Sequence, residues 1–306
     1  MTLTRREFLA TAGASLGAAS LGLSPGWARA STRLGGMQID TLSDGYLSLP
    51  FDMIYGPAPQ DELASLLKAK GVDRSQPYHT PLNVTLMRDG ERVVLFDTGS
   101  GQGFQDSAGE LVDALEALDL TIEDVTHVVF THAHPDHLWG VLDEFDDPLF
   151  YEAEHMIGKV EWDYWIDPKT VDNIGQDRAS FAVGAQRRLA AMEDAMTFFN
   201  DGEEILPGMV ARATYGHTPG HMAFELRNGS DALMVVGDAI ANDIVSFARP
   251  DWHSGTDQDL ELGAKTRASL LDQIASEKMQ LIGYHLPGGG IGRAEKKDGG
   301  YRFIPA

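Results

Sequence analysis

The most informative stretch of the sequence reads Thr131-His132-Ala133-His134-Pro135-Asp136-His137. It follows an apolar run, residues 125–130, that is typical of a buried strand. The three imidazoles and one carboxylate are ligands that suit Zn²⁺, and also Mn²⁺, Fe²⁺ or Co²⁺. Because alternate residues of an extended segment share a face, a strand end and the turn after it can bring such side chains together. The sequence therefore predicts a metal site at this strand end.

Four further segments carry polar residues beside apolar runs. They are 94–99 (VLFDTG), 216–221 (GHTPGH), 235–238 (VVGD) and 284–286 (YHL). In order and spacing, these segments and the central H-x-H-x-D-H stretch resemble the metallo-β-lactamase superfamily. The resemblance extends through the chain beyond residue 30, and it implies the fold and the chemistry described next.

The resemblance implies a site for two divalent ions, most simply zinc. The implied ligands are His132, His134 and His217 for one ion, Asp136, His137 and His285 for the other, and Asp238 between them. Asp136 and Asp238 are the implied catalytic residues, beside a hydroxide that bridges the ions and attacks the substrate. This chemistry is physically sound, since a bound divalent ion lowers the pKa of its water to about 7. Asp97 and His221 either support these ligands by hydrogen bonds or only stabilise turns.

Strand and helix patterns mix along the chain without a linker, so we expect one α/β domain over residues 31–306. Two hairpins are predicted, one turning at Asp44-Gly45 and one at Asp89-Gly90. They argue against a purely parallel sheet. The resemblance implies a four-layer αβ/βα sandwich, in which two mixed sheets are flanked by helices. The helical patterns cover residues 61–70, 110–118, 153–165, 178–199 and 257–276.

The composition excludes several classes of protein. The 306 residues carry a formal net charge of -22 and include no Cys. Such an acidic chain repels phosphate backbones, so a nucleic-acid partner is not expected. The lack of Cys excludes disulfides, thiolate metal sites and the thiolate-containing β-lactamases. No stretch reaches the roughly 18 apolar residues that a membrane span needs.

The first thirty residues resemble an export signal. Arg5-Arg6 precedes a Gly/Ala-rich apolar run, and Ala28-Arg29-Ala30 forms an A-x-A cleavage site. We therefore expect a twin-arginine signal over residues 1–30 and a periplasmic or secreted protein. An uncleaved anchor or an unstructured tail is the alternative.

Two groups of the superfamily match the remaining features. One comprises N-acyl-homoserine-lactone lactonases, and the other comprises phosphotriesterases of the methyl parathion hydrolase type, which the C-terminal tail resembles. We expect a lactonase or esterase acting on a small neutral ester or lactone, with the phosphotriesterase as the alternative. A non-catalytic metal-binding protein on this fold is a further alternative. The resemblance also implies a possible homodimer.

One departure from the lactonases concerns the substrate. They place a Tyr shortly after the bridging Asp, whereas this chain has Ala239, Ile240 and Ala241. Another group must then position a lactone, or the substrate differs. Candidates for an apolar pocket wall, each equally open to plain core packing, are Phe51, Met53, Ile54, Tyr55, Trp139, Phe247 and Trp252.

Overall fold

The computed structural model describes residues 28–306, which form two seven-stranded sheets flanked by helices. The first sheet has the order β1-β2-β3-β4-β5-β6-β7. Its strands are β1 (Ala28–Leu34), β2 (Met37–Leu49), β3 (Tyr78–Asp89), β4 (Arg92–Phe96), β5 (His127–Phe130), β6 (Glu154–Gly158) and β7 (Met196–Phe199). Strands β1 to β4 pair antiparallel and β4 to β7 pair parallel, so the sheet is mixed.

The second sheet has the order β14-β13-β12-β11-β10-β9-β8. Its strands are β8 (Glu204–Leu206), β9 (Met209–Ala213), β10 (Met222–Asn228), β11 (Asp231–Gly237), β12 (Gln280–Gly283), β13 (Ile291–Lys297) and β14 (Gly300–Pro305). Only β11 and β12 pair parallel, so this sheet is mixed as well.

The helices lie on the outer faces of the two sheets and in the connections between strands. They are α1 (Phe51–Tyr55), α2 (Gln60–Lys70), α3 (Leu111–Glu116), α4 (Pro135–Leu138), α5 (Lys159–Ile166), α6 (Lys169–Asn173), α7 (Ala179–Ala191), α8 (Val245–Ala248) and α9 (Leu260–Ser276). Within residues 28–306, no helix has the length and apolar character needed to span a bilayer.

The alternation of side chains along the central strands builds the layers. Val94 and Phe96 of β4 face the second sheet, where Phe96 packs against Phe224 of β10. Leu95, between them, faces the helices outside the first sheet. The outer face of the second sheet packs against α9. A strand covered on both faces must be apolar throughout, which explains the continuous apolar runs of the sequence. The expected four-layer sandwich is confirmed.

The first predicted hairpin is wrong, and the second is confirmed. Strand β2 runs through Asp44-Gly45 with a bulge, and its hairpin partner is β1, across Gly35-Gly36. Gly45 has φ +95°, and a Cβ there would lie 2.1 Å from Ser107 O. The glycine thus serves a close approach of backbone and not a turn. The turn at Asp89-Gly90 joins β3 to β4 as predicted.

Two predicted helices begin or end as strands. Residues 153–165 divide into β6 and α5, and residues 178–199 divide into α7 and β7. Short buried apolar runs have no period that separates helix from strand, so each pattern merged two elements. The β13–β14 hairpin was not predicted. The predicted signal segment lies outside the described residues, except for residues 28–30 at the start of β1.

Candidate metal centre

The central motif leaves β5 and bends into the short helix α4. His134 has extended backbone angles (φ -66°, ψ 160°), and Pro135 begins the helix. Because a residue before proline is held away from the helical region, the His134-Pro135 pair itself determines the bend. All four candidate ligands of this stretch, His132, His134, Asp136 and His137, are buried.

The second sheet supplies the other three candidates from separate connections. His217 lies between β9 and β10, Asp238 follows β11, and His285 follows β12. Gly237 turns the chain with φ +50° just before Asp238. A Cβ at this glycine would lie 2.7 Å from His221 Nε2, so a larger residue would displace the support of Asp238.

The seven side chains converge in two groups that share Asp238. In the first group, His134 Nδ1 lies 3.0 Å from His132 Nε2 and 2.9 Å from His217 Nε2. In the second, Asp136 Oδ2 lies 3.5 Å from His137 Nε2 and 3.3 Å from His285 Nε2. The fold thus brings every residue of the predicted ligand set together.

Asp238 contacts both groups. Its Oδ2 lies 3.1 Å from His285 Nε2 and 3.4 Å from His217 Nε2, and its Oδ1 lies 3.3 Å from His137 Nε2. Asp238 is thus the side chain that the two groups have in common.

The donor set fits divalent metal ions. His137 Nε2 and Asp238 Oδ1 are buried without a hydrogen-bond partner among the described residues. Buried polar atoms normally find a partner, and lone pairs that converge on one point are satisfied best by a cation. Nitrogen and oxygen donors without sulfur suit Zn²⁺ and its neighbours in the first transition row. The fold and the donor set indicate a divalent metal, with zinc the first candidate.

The two groups differ in protonation. Burial, and then the neighbouring imidazoles, hold the pKa values of His132 and His134 well below the usual range, so these rings are neutral. Burial also opposes charge on His285, but the carboxylates of Asp238 and Asp136 outweigh it and raise its pKa to about 10. The carboxylates thus make the surroundings of the second group more favourable for a positive charge than those of the first.

Asp97 and His221 support ligands by hydrogen bonds. His137 Nδ1 lies 2.8 Å from Asp97 Oδ2 and donates to it, which aims Nε2 at the centre. The backbone N–H of Asp238 donates to His221 Nε2 at 3.0 Å. Of the two readings that the sequence allowed, the structure shows the supporting role for both residues.

The sequence pattern did not predict a role for Glu161. It is fully buried on α5. Its Oε1 accepts from Ala133 N at 2.9 Å, and its Oε2 accepts from Thr218 Oγ1 at 2.7 Å and from Gly220 N at 3.0 Å. This one carboxylate joins the loops that carry His132–His134 and His217. A lone Glu in a helical pattern carries no signal of such a role, because the same pattern is typical of a solvated face.

An apolar cavity of about 650 Å³, including its open mouth, ends on this centre. Five of the seven candidate ligands line this cavity, and the other two, His132 and His137, lie deeper. Its apolar wall comprises Leu47, Leu49, Met53, Ile54, Phe104 and Phe181.

Of the predicted wall residues, Met53 and Ile54 line this cavity. The others are not among its lining residues. Phe247 packs in the core against Phe303, and Trp139 packs against Phe104 from behind. Large aromatic residues near a motif in sequence are thus used here mostly for packing.

The fold and the convergent His/Asp groups define a metal-dependent hydrolase class, and the chain belongs to the metallo-beta-lactamase superfamily. Residues 78–278 match the family of that description.

Two solved structures are similar over nearly their whole length. One is AidC, a dizinc quorum-quenching lactonase in complex with the product N-hexanoyl-L-homoserine, with 27% identity, a TM-score of 0.85, and coverage of 90% of this chain and 97% of AidC. The other is the hydrolase AbOPH of the beta-lactamase superfamily, with 25% identity, a TM-score of 0.84, and coverage of 91% and 97%.

Among curated proteins, the uncharacterized protein YobT of Bacillus subtilis (strain 168) is 27% identical over 163 residues. The match spans 52% of this chain and 62% of YobT.

Proposed function

We propose that the protein is a dinuclear metal-dependent lactonase that opens lactones of the N-acyl-homoserine type. The observation that carries this proposal is the convergence of seven His and Asp side chains at the end of an apolar cavity. The likeness to AidC supports it, because that lactonase is described with an acyl-homoserine product.

In this proposal the two groups of side chains hold one ion each. The first group comprises His132, His134 and His217, the second comprises Asp136, His137 and His285, and Asp238 is shared. When bound, the ions would lower the pKa of a water toward neutrality and polarise the lactone carbonyl.

The side chains of the cavity supply proton transfer and a dry surface. The carboxylates of Asp136 and Asp238 both line it, so either can take the proton of the attacking water and return it to the leaving hydroxyl oxygen. Met53, Ile54 and Phe181 cover the approach with apolar surface, which suits an acyl chain and excludes bulk water.

Arg178 is our candidate for the group that orients the substrate. The chain lacks the Tyr that the lactonases place shortly after the bridging Asp, and Ala241, which follows Asp238 and lines the cavity, has no side-chain hydrogen-bonding group. Arg178 lines the same cavity, and its Nη2 donates to Gly255 O at 2.7 Å. Among the described residues this is the one hydrogen bond of the guanidinium, so its other N–H groups can donate to a substrate carbonyl.

The test is a panel of N-acyl-homoserine lactones, simple γ-lactones, aryl esters and methyl parathion, assayed with the zinc-loaded protein. We expect the acyl-homoserine lactones to be hydrolysed fastest and chelation to abolish turnover. Faster hydrolysis of methyl parathion than of every lactone would favour the phosphotriesterase. Retention of zinc without turnover of any substrate would favour a metal-binding protein.

The same proposal places the protein outside the cytoplasm, on the evidence of the twin arginines and the A-x-A site of residues 1–30. Cell fractionation of a bacterium that expresses the full chain tests it. The wild type should be periplasmic, and the Arg5→Lys/Arg6→Lys variant should remain in the cytoplasm. Equal distribution of the two would contradict export by this route.

A further inference from the structure

A buried arginine lies behind His217. Arg267, on α9, is 2% exposed, and its Nη1 lies 3.1 Å from Asp257 Oδ2. The other oxygen of Asp257, Oδ1, lies 3.4 Å from His217 Nδ1. Hydrogen bonds to Pro250 O and Trp252 O, at 3.2 and 2.8 Å, fix the guanidinium. His217 is therefore backed by a carboxylate whose charge is already compensated.

The corresponding support of the second group is different. Asp97 Oδ2 lies 2.8 Å from His137 Nδ1. This distance is 0.6 Å shorter than the one between Asp257 Oδ1 and His217 Nδ1. Its other hydrogen bonds come from Thr131, through the backbone N–H at 2.7 Å and the hydroxyl at 2.8 Å. Within residues 28–306, no Lys or Arg forms a salt bridge with Asp97. His137 is thus backed by a carboxylate that has no paired Lys or Arg.

The ligand groups differ in the same direction. The first position, defined by His132, His134 and His217, has three imidazoles. The second position, defined by Asp136, His137 and His285, has a carboxylate of its own, and Asp238 contacts both. A carboxylate behind an imidazole strengthens that ring as a ligand, and a nearby cation weakens the attraction for a metal ion. Both effects favour the second position.

We propose that the two positions bind divalent cations with unequal affinity, and that Arg267 sets the difference by neutralising the support of Asp257 for His217. The second position fills first. Arg267 is a positioning residue that acts through Asp257 and His217. The inference rests on the metal centre of the proposed function and is independent of the substrate.

The surroundings of Asp257 restrict its movement. A Cβ on Gly263 would lie 2.4 Å from Asp257 Oδ2, and Asp257 N donates to Ser254 O at 3.1 Å. Substitution of Arg267 will therefore change the charge behind His217 more than the position of the carboxylate. Variants of Arg267 and Asp257 can therefore test the effect of charge on metal binding at His217.

Four variants test the effect of charge behind His217, two that change the charge and two that keep it. Asp257→Asn leaves +1 on the pair and Arg267→Gln leaves -1. The double variant is neutral like the wild type, and Arg267→Lys keeps the natural charge as the matched control. The metal-free full chain is titrated with Zn²⁺ against a chromophoric chelator at neutral pH, which resolves two binding steps without any substrate. Circular dichroism verifies that each variant is folded.

We expect the weaker step to be about tenfold weaker in Asp257→Asn and severalfold tighter in Arg267→Gln, with the double variant and Arg267→Lys close to the wild type. The tighter step should change little in all four. Asp97→Asn should instead weaken the tighter step by about 10- to 100-fold.

Equal affinities of the two positions in the wild type would overturn the proposal, and so would identical behaviour of Arg267→Gln and Arg267→Lys. Because the double variant preserves the neutral pair, it decides the question if Arg267→Gln fails to fold. It must then bind more tightly than Asp257→Asn. Absence of zinc binding would refute the metal centre itself, whereas two zinc steps without lactone hydrolysis would refute only the lactonase assignment.

Discussion

The two sheets contribute to one centre in different ways. The first supplies four candidate ligands from a single stretch after β5, and the second supplies His217, Asp238 and His285 from three separate connections. We call the ligands supplied by the first sheet the first half of the centre and those supplied by the second sheet the second half. The local geometry of the first half is set mostly by neighbouring residues, as in the bend at His134-Pro135. That of the second half depends on how α9, β11 and β12 pack together. The first half is therefore local in origin, and the second is a product of the whole fold.

The largest expected effect comes from removing the residue that belongs to both groups. Asp238→Asn should lower kcat/KM for lactones by about 100- to 1000-fold and reduce bound zinc at both positions. His134→Gln, which affects only the first group, should retain zinc at the second. Zinc content by mass spectrometry, measured beside the kinetics, distinguishes the two variants. Equal zinc loss in both would mean that Asp238 is not shared.

Glu161 joins the loops of the two halves, so its removal should disturb both. Glu161→Ala leaves Ala133 N, Thr218 Oγ1 and Gly220 N without their buried acceptor. At roughly 1 kcal/mol or more for each donor, the free energy of unfolding should fall by about 3 kcal/mol. Urea unfolding measures this. Asp163→Ala, at an exposed site of the same helix, is the control and should behave like the wild type. If the two variants are equally stable, Glu161 does not clamp the loops.

Acid should destabilise the folded protein through His155, which lies on β6 of the first sheet. Burial lowers the pKa of this imidazole to about 4, and neither ring nitrogen has a partner among the described residues. The unfolded chain, with the ordinary pKa of about 6.5, takes up a proton first as the pH falls. The contribution of the neutral His155 to the free energy of unfolding is therefore fully present above pH 6.5. It is lost as the pH falls toward 4, by about 2 kcal/mol at pH 5.

His155→Leu cannot take up this proton, so it should lose less stability than the wild type between pH 8 and pH 5. Urea unfolding at both pH values measures the difference. Parallel pH dependence of the two proteins would show that His155 is not buried as a neutral ring.

The smallest expected effect concerns substrate orientation. Arg178→Met should raise KM for acyl-homoserine lactones by about tenfold, with zinc content unchanged and kcat affected little, since one hydrogen bond from a charged group is lost. Arg178→Lys should be intermediate, because it keeps the charge but not the planar fork. Steady-state kinetics provide the test, and an unchanged KM in Arg178→Met would remove Arg178 from the substrate site.

The contrast between the two halves also explains which residues of the site could be predicted from the sequence. The H-x-H-x-D-H stretch is visible because its residues are contiguous. His217, Asp238 and His285 were found only through the resemblance, since nothing local marks a lone His or Asp as a ligand. Glu161 and the pair of Asp257 and Arg267 were missed, because burial of a charged residue depends on tertiary packing. Asp44-Gly45 predicts a turn where the structure has a bulge, because Asp-Gly has the same backbone preferences in both.

A direct test of the metal centre is anomalous X-ray diffraction at the zinc edge from crystals of the zinc-loaded protein. We predict two peaks, one enclosed by His132, His134 and His217 and the other by Asp136, His137 and His285, with the Asp238 carboxylate between them. A single peak, or peaks remote from these side chains, would contradict a dinuclear centre built by both halves of the fold.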